Sequence, residues 1–276
     1  MSFQKARNII CIILCAVTAL GAVLTVGTFI FSSTLCSSEF MEKRLMSKAV
    51  ISKCDESYNA RLEALSQETG IPVHVFKAAS DKFVIAENAV QRLYSGQDTT
   101  MFSNDKTEVF EKLCTEYVEG NELKYSKNEI TAAAEKATQI YADCYGIADS
   151  QPIYDFITSL KNRSSGIMAL GLLLIVVPAA VAMMLFSKRE KLLAQLLSFL
   201  TASGFALTLS GAVGLIFGIG TNTLITPEIY AKAISQAVRF DFAVILIIGI
   251  AVSAAAIFLA VKTNDRIIEK RIEDSL

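Results

Sequence analysis

Charged side chains and histidine are absent from four long stretches of this 276-residue chain. These stretches are residues 8–38, 164–187, 192–227 and 242–261. A membrane hydrocarbon core of about 30 Å is crossed by roughly 20 helical residues, so each stretch is long enough to span it. Four such runs in one chain argue against the buried core helices of a soluble protein. We therefore predict transmembrane helices at residues 9–31, 166–186, 192–220 and 242–261.

The lack of ionisable residues within these stretches also limits the classes of function. Proton- and ion-coupled transporters usually carry an ionisable residue inside their spans. Intramembrane proteases need a histidine-based dyad, an aspartate pair or an H-E-x-x-H motif there. Because none of the four stretches supplies such groups, both classes are disfavoured, while a pore for neutral solutes stays open.

Residues that usually mark catalytic, cofactor and metal sites are equally scarce. Histidine occurs once, as His74 in a predicted turn, and the cysteine spacing fits no zinc module. The sequence contains no Gly-rich phosphate loop, G-x-S-x-G or C-x-x-C motif. Basic residues do not cluster with aromatic residues as in nucleic-acid-binding surfaces. We therefore predict no catalytic, cofactor-binding or metal-binding residues, no nucleic-acid partner and a non-enzymatic protein.

Lysine and arginine residues determine the orientation that we predict for the spans. Cytoplasmic loops and span ends carry an excess of these residues. The topology anchors precede the first span or lie between the second and third: Lys5, Arg7, Lys188, Arg189 and Lys191. We therefore assign residues 1–8, 187–191 and 262–276 to the cytoplasm, and residues 32–165 and 221–241 to the outside. The first apolar run exceeds a signal-peptide core of about 7–15 residues, so we expect an uncleaved anchor.

Residues 32–165 are predicted to form an all-helical extracytoplasmic domain between the first two spans. Apolar residues recur there at threes and fours, and proline is rare. Helices are expected near residues 40–70, 80–94, 104–119, 126–146 and 153–163, the fourth starting at a Ser126–Glu129 capping box. The fold class is thus an all-α integral membrane protein with four transmembrane helices. In layout alone, the domain resembles the ligand-sensing domains of bacterial membrane receptors.

Four cysteines lie in the predicted extracytoplasmic domain, where disulfide bonds can persist: Cys36, Cys54, Cys114 and Cys144. Four cysteines allow three pairings, and the sequence does not choose among them. Because no exposed dithiol motif is present, we expect structural disulfides or unpaired buried thiols in preference to a redox-active pair.

Small residues recur at every fourth position of the third span, and a weaker pattern occurs in the fourth. Small side chains allow close helix contact in lipid. The predicted packing residues are Ser198, Ala202, Ala206, Ser210, Gly214, Gly218, Gly249 and Ser253. A spacing of four drifts by about 40° per step around a helix, so one straight neighbour cannot contact the whole row. We expect most of the row to pack internally, with the Gly214–Gly218 end available to a partner.

A short amphipathic helix is predicted after Thr226-Pro227-Glu228, where it would brace the outside domain. Together, these patterns favour a multi-pass protein of a bacterial plasma membrane, with both termini cytoplasmic. Its outside domain would bind a ligand or protein and be coupled through the spans to another membrane component. An oligomeric transport or export component is the alternative, and a membrane thiol oxidoreductase is a weaker one. The expected partners are the lipid bilayer and either a membrane protein or further copies of the chain, with no cofactor.

This topology predicts which lysines react with a membrane-impermeant amine reagent on intact cells. Lys112 and Lys136 should be modified because they lie outside, whereas Lys188 and Lys191 should be protected until the cells are permeabilised. Peptide mapping by mass spectrometry measures both pairs in one sample. Modification of the second pair with protection of the first would reverse the orientation.

Overall fold

A computed structural model describes residues 3–80, 93–94, 103–146, 151–218 and 228–273. These residues form helices and no strand, which confirms the all-helical prediction. In chain order the helices are α1 (Phe3–Ser33), α2 (Ser38–Leu45), α3 (Lys48–Thr69), α4 (Val73–Ser80), α5 (Ser103–Gly120), α6 (Lys127–Tyr145), α7 (Gln151–Leu185), α8 (Arg189–Ile216) and α9 (Glu228–Glu273).

Four of these helices, α1, α7, α8 and α9, are long and apolar enough to cross a membrane. Each predicted span overlaps one of them, and the third, at residues 192–220, extends past the end of its helix at Ile216 into residues outside the described part. The chain divides into two compact units. The membrane unit comprises Met1–Cys36, Leu160–Ile219 and Val238–Leu276, and the helical unit comprises Ser37–Ser159 and Gly220–Ala237.

Helix α1 contacts the other three long helices within the membrane unit. A Cβ added at Gly21 would lie 2.7 Å from the carbonyl oxygen of Gly171, so α1 and α7 approach at backbone distance. The core of this unit joins side chains of α1, α8 and α9: Ala22, Ile30, Leu207 and Ile245. The rings of Phe31 and Phe242 meet edge to face at 5.4 Å beside it.

Helices α8 and α9 pack in antiparallel directions through glycines. A Cβ on Gly204 would lie 2.7 Å from the Ser253 nitrogen, and one on Gly211 would lie 2.6 Å from the Leu246 nitrogen. A Cβ on Gly249 would overlap the backbone nitrogen of Thr208. Because dispersion contacts drive helix association in lipid, this close approach stabilises the pair.

The helical unit is built around the antiparallel helices α3 and α6. Their facing residues advance in opposite directions along the chain: the Arg61 guanidinium lies 3.0 Å from the Asp143 carboxylate, and Glu68 pairs with Lys136. The predicted capping box is confirmed, since the Ser126 hydroxyl accepts from the Glu129 N–H and the Glu129 carboxylate accepts from the Ser126 N–H. Gly70 ends α3 with φ of +73°, a conformation that glycine adopts without strain.

Several helix boundaries differ from the predictions. The single helix expected at residues 40–70 is divided into α2 and α3, because Ser47 adopts an extended N-cap conformation between them. His74 was predicted to lie in a turn, but it lies in α4. This helix begins directly after Pro72, and prolines are well tolerated at helix starts. The helix predicted at residues 80–94 falls mostly outside the described residues.

Two helices predicted as separate segments are continuous with spans. The helix expected at residues 153–163 is the first part of α7, and the amphipathic helix expected after Pro227 is the first part of α9. Neither junction contains a proline, so the backbone hydrogen bonds continue through both of them.

The glycine contacts predict a difference between two substitutions in the spans. Gly249→Ala should destabilise the protein by about 1 to 3 kcal/mol, because its Cβ meets backbone that cannot move aside. Gly27→Ala is the matched control, since a Cβ there meets nothing within 4 Å. Thermal unfolding of the detergent-solubilised protein should show a lower midpoint for the first variant only. Equal midpoints would exclude close α8–α9 packing.

Candidate functional site

An open groove lies between the first half of α8 and the last part of α9 in the membrane unit. Its volume is about 810 Å³. It is lined by Glu190, Ala194, Leu197, Ser198, Thr201, Ala202, Phe205, Ala206, Leu209, Ala260, Thr263 and Asn264. Ala194 and three residues of the predicted row, Ser198, Ala202 and Ala206, therefore lie at the groove surface.

The groove presents a mainly apolar surface although hydroxyl groups line it. The Ser198 hydroxyl donates to the Ala194 carbonyl at 2.9 Å, and the Thr201 hydroxyl donates to the Leu197 carbonyl at the same distance. Because these donors bond within their own helix, they do not require a polar ligand. Charged and amide side chains, Glu190 and Asn264, lie toward one end of the groove. Such a surface fits an apolar helix or a lipid chain.

The structure reverses the expectation for the two ends of the small-residue row. Gly214 is buried, and a Cβ there would overlap the ring of Phe242, so this end packs internally. The Ala194–Ala206 part lines the groove, Ser210 is half-buried, and Gly218 follows α8 with φ of +59°. Gly249 and Ser253 of α9 pack internally against Thr208 and Gly204 of α8.

Sequence analysis missed Gly204 and Gly211 as packing residues because it followed a spacing of four. The buried glycines of α8 are instead spaced by seven and three residues, at 204, 211 and 214. Spacings of seven and three keep residues on one side of a helix in a left-handed pair, whereas a repeated spacing of four does not. A search for heptad spacing of glycines would have found them.

A cluster of aromatic rings and thiols lies in the core of the helical unit. Tyr58 of α3 meets Tyr141 and Tyr145 of α6 at ring distances of 5.8 and 5.2 Å. Cys54 and Cys144 occupy the next layer, and the Tyr230 hydroxyl of α9 lies beside the Cys54 thiol. All six side chains are buried, so this cluster is a structural core with titratable members.

Polar contacts extend from this cluster to its edge. The Tyr145 hydroxyl donates to the Asp55 carboxylate at 2.5 Å. The Lys106 ammonium lies 4.2 Å from the centre of the Tyr141 ring, a cation–π contact. Burial, and then the Asp55 carboxylate, raise the pKa of Tyr145 above its ordinary value. The hydroxyl therefore stays protonated and acts as a hydrogen-bond donor at neutral pH.

All six cysteines of the chain are free thiols in the structure, so no disulfide joins Cys36, Cys54, Cys114 or Cys144. The sequence left open either structural disulfides or unpaired buried thiols. The structure has buried thiols at Cys54, Cys114 and Cys144. Burial raises the pKa of Cys54 and of Cys114 to about 11. Since the thiolate is the nucleophile in thiol chemistry, this environment disfavours a redox-active cysteine.

Asp241 is a fully buried carboxylate that the sequence analysis placed in a loop. It lies within α9, one residue before the apolar run, and accepts a hydrogen bond of 2.7 Å from the Thr34 hydroxyl. A buried carboxylate requires such partners because its desolvation is costly. The pair ties the end of α1 to α9 within the membrane unit. The signal was the adjacency of an acidic residue to an apolar run.

The topology anchors gather at one end of the membrane unit. The Arg7 guanidinium lies 5.6 Å from the centre of the Phe186 ring, which precedes Lys188 in the α7–α8 link. Lys188 is the N-cap residue of α8, and Arg189 and Lys191 follow in its first turn. The start of α1, which also carries Lys5, and the α7–α8 link therefore lie on the same side of the spans.

Other sites in the described residues offer little chemistry. His74 is exposed on α4 with its ring 5.9 Å from that of Tyr117. Among residues that the structure describes, no three His, Cys, Asp or Glu side chains are placed to hold a metal ion. A pocket of about 200 Å³ in the helical unit is bordered by the Lys136–Glu68 ion pair and by Tyr125, whose hydroxyl donates to the Thr69 carbonyl. Its polar groups are thus already paired.

The chain was compared with known proteins at three levels. No model of a protein family matches the sequence, and neither a curated protein nor a solved structure is detectably similar to it. The architecture therefore defines only a class, a helical protein with four helices suited to a multi-pass membrane position.

The buried thiols predict that stability declines at alkaline pH. The folded pKa of about 11 for Cys54 and Cys114 exceeds the ordinary value of 9.0. Unfolded thiols therefore lose protons first, so their contribution to the free energy of unfolding should be constant below about pH 9 and fall between pH 9 and 11. Circular dichroism of the reduced, detergent-solubilised protein as a function of temperature and pH measures this decline.

The Cys114→Ala variant tests the origin of the alkaline decline. Its free energy of unfolding should decrease less steeply above pH 9, whatever its thermal midpoint at neutral pH, because one titrating thiol is gone. Cys11→Ala, in α1, should keep the wild-type slope. A Cys114→Ala slope equal to that of the wild type would contradict the assignment.

Proposed function

We propose that this chain is a non-enzymatic, multi-pass protein of a bacterial plasma membrane that binds another membrane protein through the α8–α9 groove. In this proposal both termini are cytoplasmic and residues 32–165 are extracytoplasmic. The helical unit binds a ligand or protein partner outside, and the spans couple that event to the protein in the groove.

The groove is the observation that carries this proposal. Its small side chains, such as Ala202 and Ala206, allow the backbone of another helix to approach closely, as Gly204 and Gly249 do for α8 and α9. The Ser198 and Thr201 hydroxyls are satisfied within α8, so an apolar helix would leave neither of them unpaired. These properties support a transmembrane helix as the occupant.

The distribution of charge supports the proposed orientation. Arg7 and Lys188 lie at the same end of the membrane unit, and basic residues near span ends favour the cytoplasmic side. The folded helical unit then lies outside.

An oligomeric transport or export component is the second candidate. The same groove supports it, because a span of a second copy is also an apolar helix. Phe205 and Leu209 border the groove and are exposed on α8, so they are available to a neighbouring copy. The thiol oxidoreductase alternative has less support, since burial holds the pKa of Cys54 near 11.

Site-specific photo-crosslinking in native membranes tests the proposed docking. A photoreactive residue at Ala202 should give an adduct with one other membrane protein. A photoreactive residue at Leu172, which is exposed on α7, is the matched control and should label mainly lipid. An adduct of twice the mass of the chain would favour the oligomeric alternative, and lipid labelling alone at both positions would contradict docking.

Filling the groove should reduce the recovery of the bound protein. Ala206→Leu adds three carbons to a half-buried groove position, so affinity purification from membranes should recover several-fold less partner. Val176→Leu, on an exposed position of α7, should recover wild-type amounts. Unchanged recovery with Ala206→Leu would place the partner elsewhere.

A further inference from the structure

Cys54 and Cys144 lie opposite each other in the antiparallel pair of α3 and α6. Tyr58 and Tyr141 face each other in one layer of this pair, with ring centres 5.8 Å apart. Cys54 precedes Tyr58 by four residues and Cys144 follows Tyr141 by three, so both thiols belong to the next layer. The contacts around them fit this alignment, because the Cys144 thiol is 3.8 Å from the Ser57 hydroxyl.

The Cys144 thiol is also close enough to influence Cys54 electrostatically. Burial and the neighbouring Cys144 are among the causes that raise the pKa of Cys54. Both side chains are almost completely buried. Their separation is therefore fixed by the packing of α3 on α6.

Cys114 cannot reach either of these thiols. The Thr107 hydroxyl donates to that of Thr138 at 3.0 Å, and the Thr131 hydroxyl donates to Glu111 at 2.8 Å, so α5 runs antiparallel to α6. Cys114 therefore lies beside the first turn of α6, whereas Cys144 is in the last. At about 1.5 Å per residue this separates them by roughly 20 Å, and a disulfide needs Cα atoms within about 7 Å.

We propose that Cys54 and Cys144 are partners in one disulfide bond, which links α3 to α6 when the helical unit folds under oxidising conditions. The structure describes the dithiol form. Only one of the three complete pairings of four cysteines contains a Cys54–Cys144 bond, and the proposal takes that bond alone and leaves Cys114 as a thiol. The supply of oxidant rests on the proposed extracytoplasmic placement of residues 32–165, whereas the pairing rests on the geometry alone.

The oxidant is a disulfide, either a small molecule or a thiol oxidase. The thiolate of one cysteine attacks a sulfur of the oxidant and forms a mixed disulfide, and one oxidant thiol leaves. The thiolate of the second cysteine then attacks the protein sulfur of the mixed disulfide and displaces the second oxidant thiol. Two electrons and two protons pass to the oxidant. Because the folded thiols are buried, this exchange occurs before packing of α3 on α6 is complete.

Peptide mapping of the full-length protein tests the pairing. Cells are quenched in acid, free thiols are alkylated, and non-reduced tryptic peptides are analysed by mass spectrometry. We expect the peptide of residues 54–61 linked to that of residues 137–161, with Cys114 alkylated. In parallel, the denatured full-length protein is refolded into detergent with oxidised glutathione and mapped in the same way.

The two arms separate the pairing from the proposed topology. The 54–144 link in both arms supports the pairing and the outside placement. The link after refolding, with reduced thiols in cells, supports the pairing and contradicts the outside placement. A link to Cys114 or Cys36, or no link after refolding, overturns the pairing.

Variants provide an independent readout of the same bond. Reduction should lower the thermal midpoint of the oxidised protein, because the crosslink restricts the unfolded chain. Cys114→Ala is the matched control and should keep both the 54–144 link and this response to reductant. Cys144→Ala should lose the response and leave Cys54 free to be alkylated after denaturation. A Cys144→Ala variant with an unchanged response would contradict the proposal.

Discussion

The apolar surface that the four long helices cannot bury within the chain is the constraint on which the structure depends. In the most apolar 18-residue segment of each candidate span, only 17 to 28% of the segment is buried inside the protein. The rest of that surface requires a hydrocarbon environment, because exposing it to water would be strongly unfavourable. Within hydrocarbon, burial no longer drives the helices together, so α1, α7, α8 and α9 associate where backbones approach closely. Gly21, Gly171, Gly211 and Gly249 provide those points of approach.

The sequence was sufficient for the features that depend on local chemistry. Runs without charge located the four long helices, and the Ser126–Glu129 capping box marked the start of α6. It was insufficient where helix continuity or tertiary contact decided the outcome. Nothing local indicated that α7 and α9 begin well before their apolar runs. Gly214 packs inside the protein, whereas Ala202 lines the groove. This difference between small residues of one helix depends on where α9 lies beside α8.

The candidate groove and the thiol pair were predictable only in part for the same reason. Small residues in α8 were identified, but Gly214, in the end of the row expected to be available to a partner, packs inside the protein against Phe242. The four cysteines were identified as well, but their alignment depends on contacts such as Arg61 with Asp143, between residues distant in the chain. Composition fixes which side chains are available, and the antiparallel packing of two helices fixes which of them meet.

The position of α1 has a consequence for biosynthesis. Its contacts in the membrane unit include α8 and α9, but residues 34–188 are made before the first of these begins. At about 5 to 20 residues per second, α1 waits roughly 8 to 30 s in the bilayer for that partner. Its threonines suit this interval, because the Thr18 and Thr25 hydroxyls donate to the carbonyls of Leu14 and Gly21 in the same helix. A nascent α1 therefore exposes no unsatisfied hydroxyl at these positions to lipid while the remainder of the protein is translated.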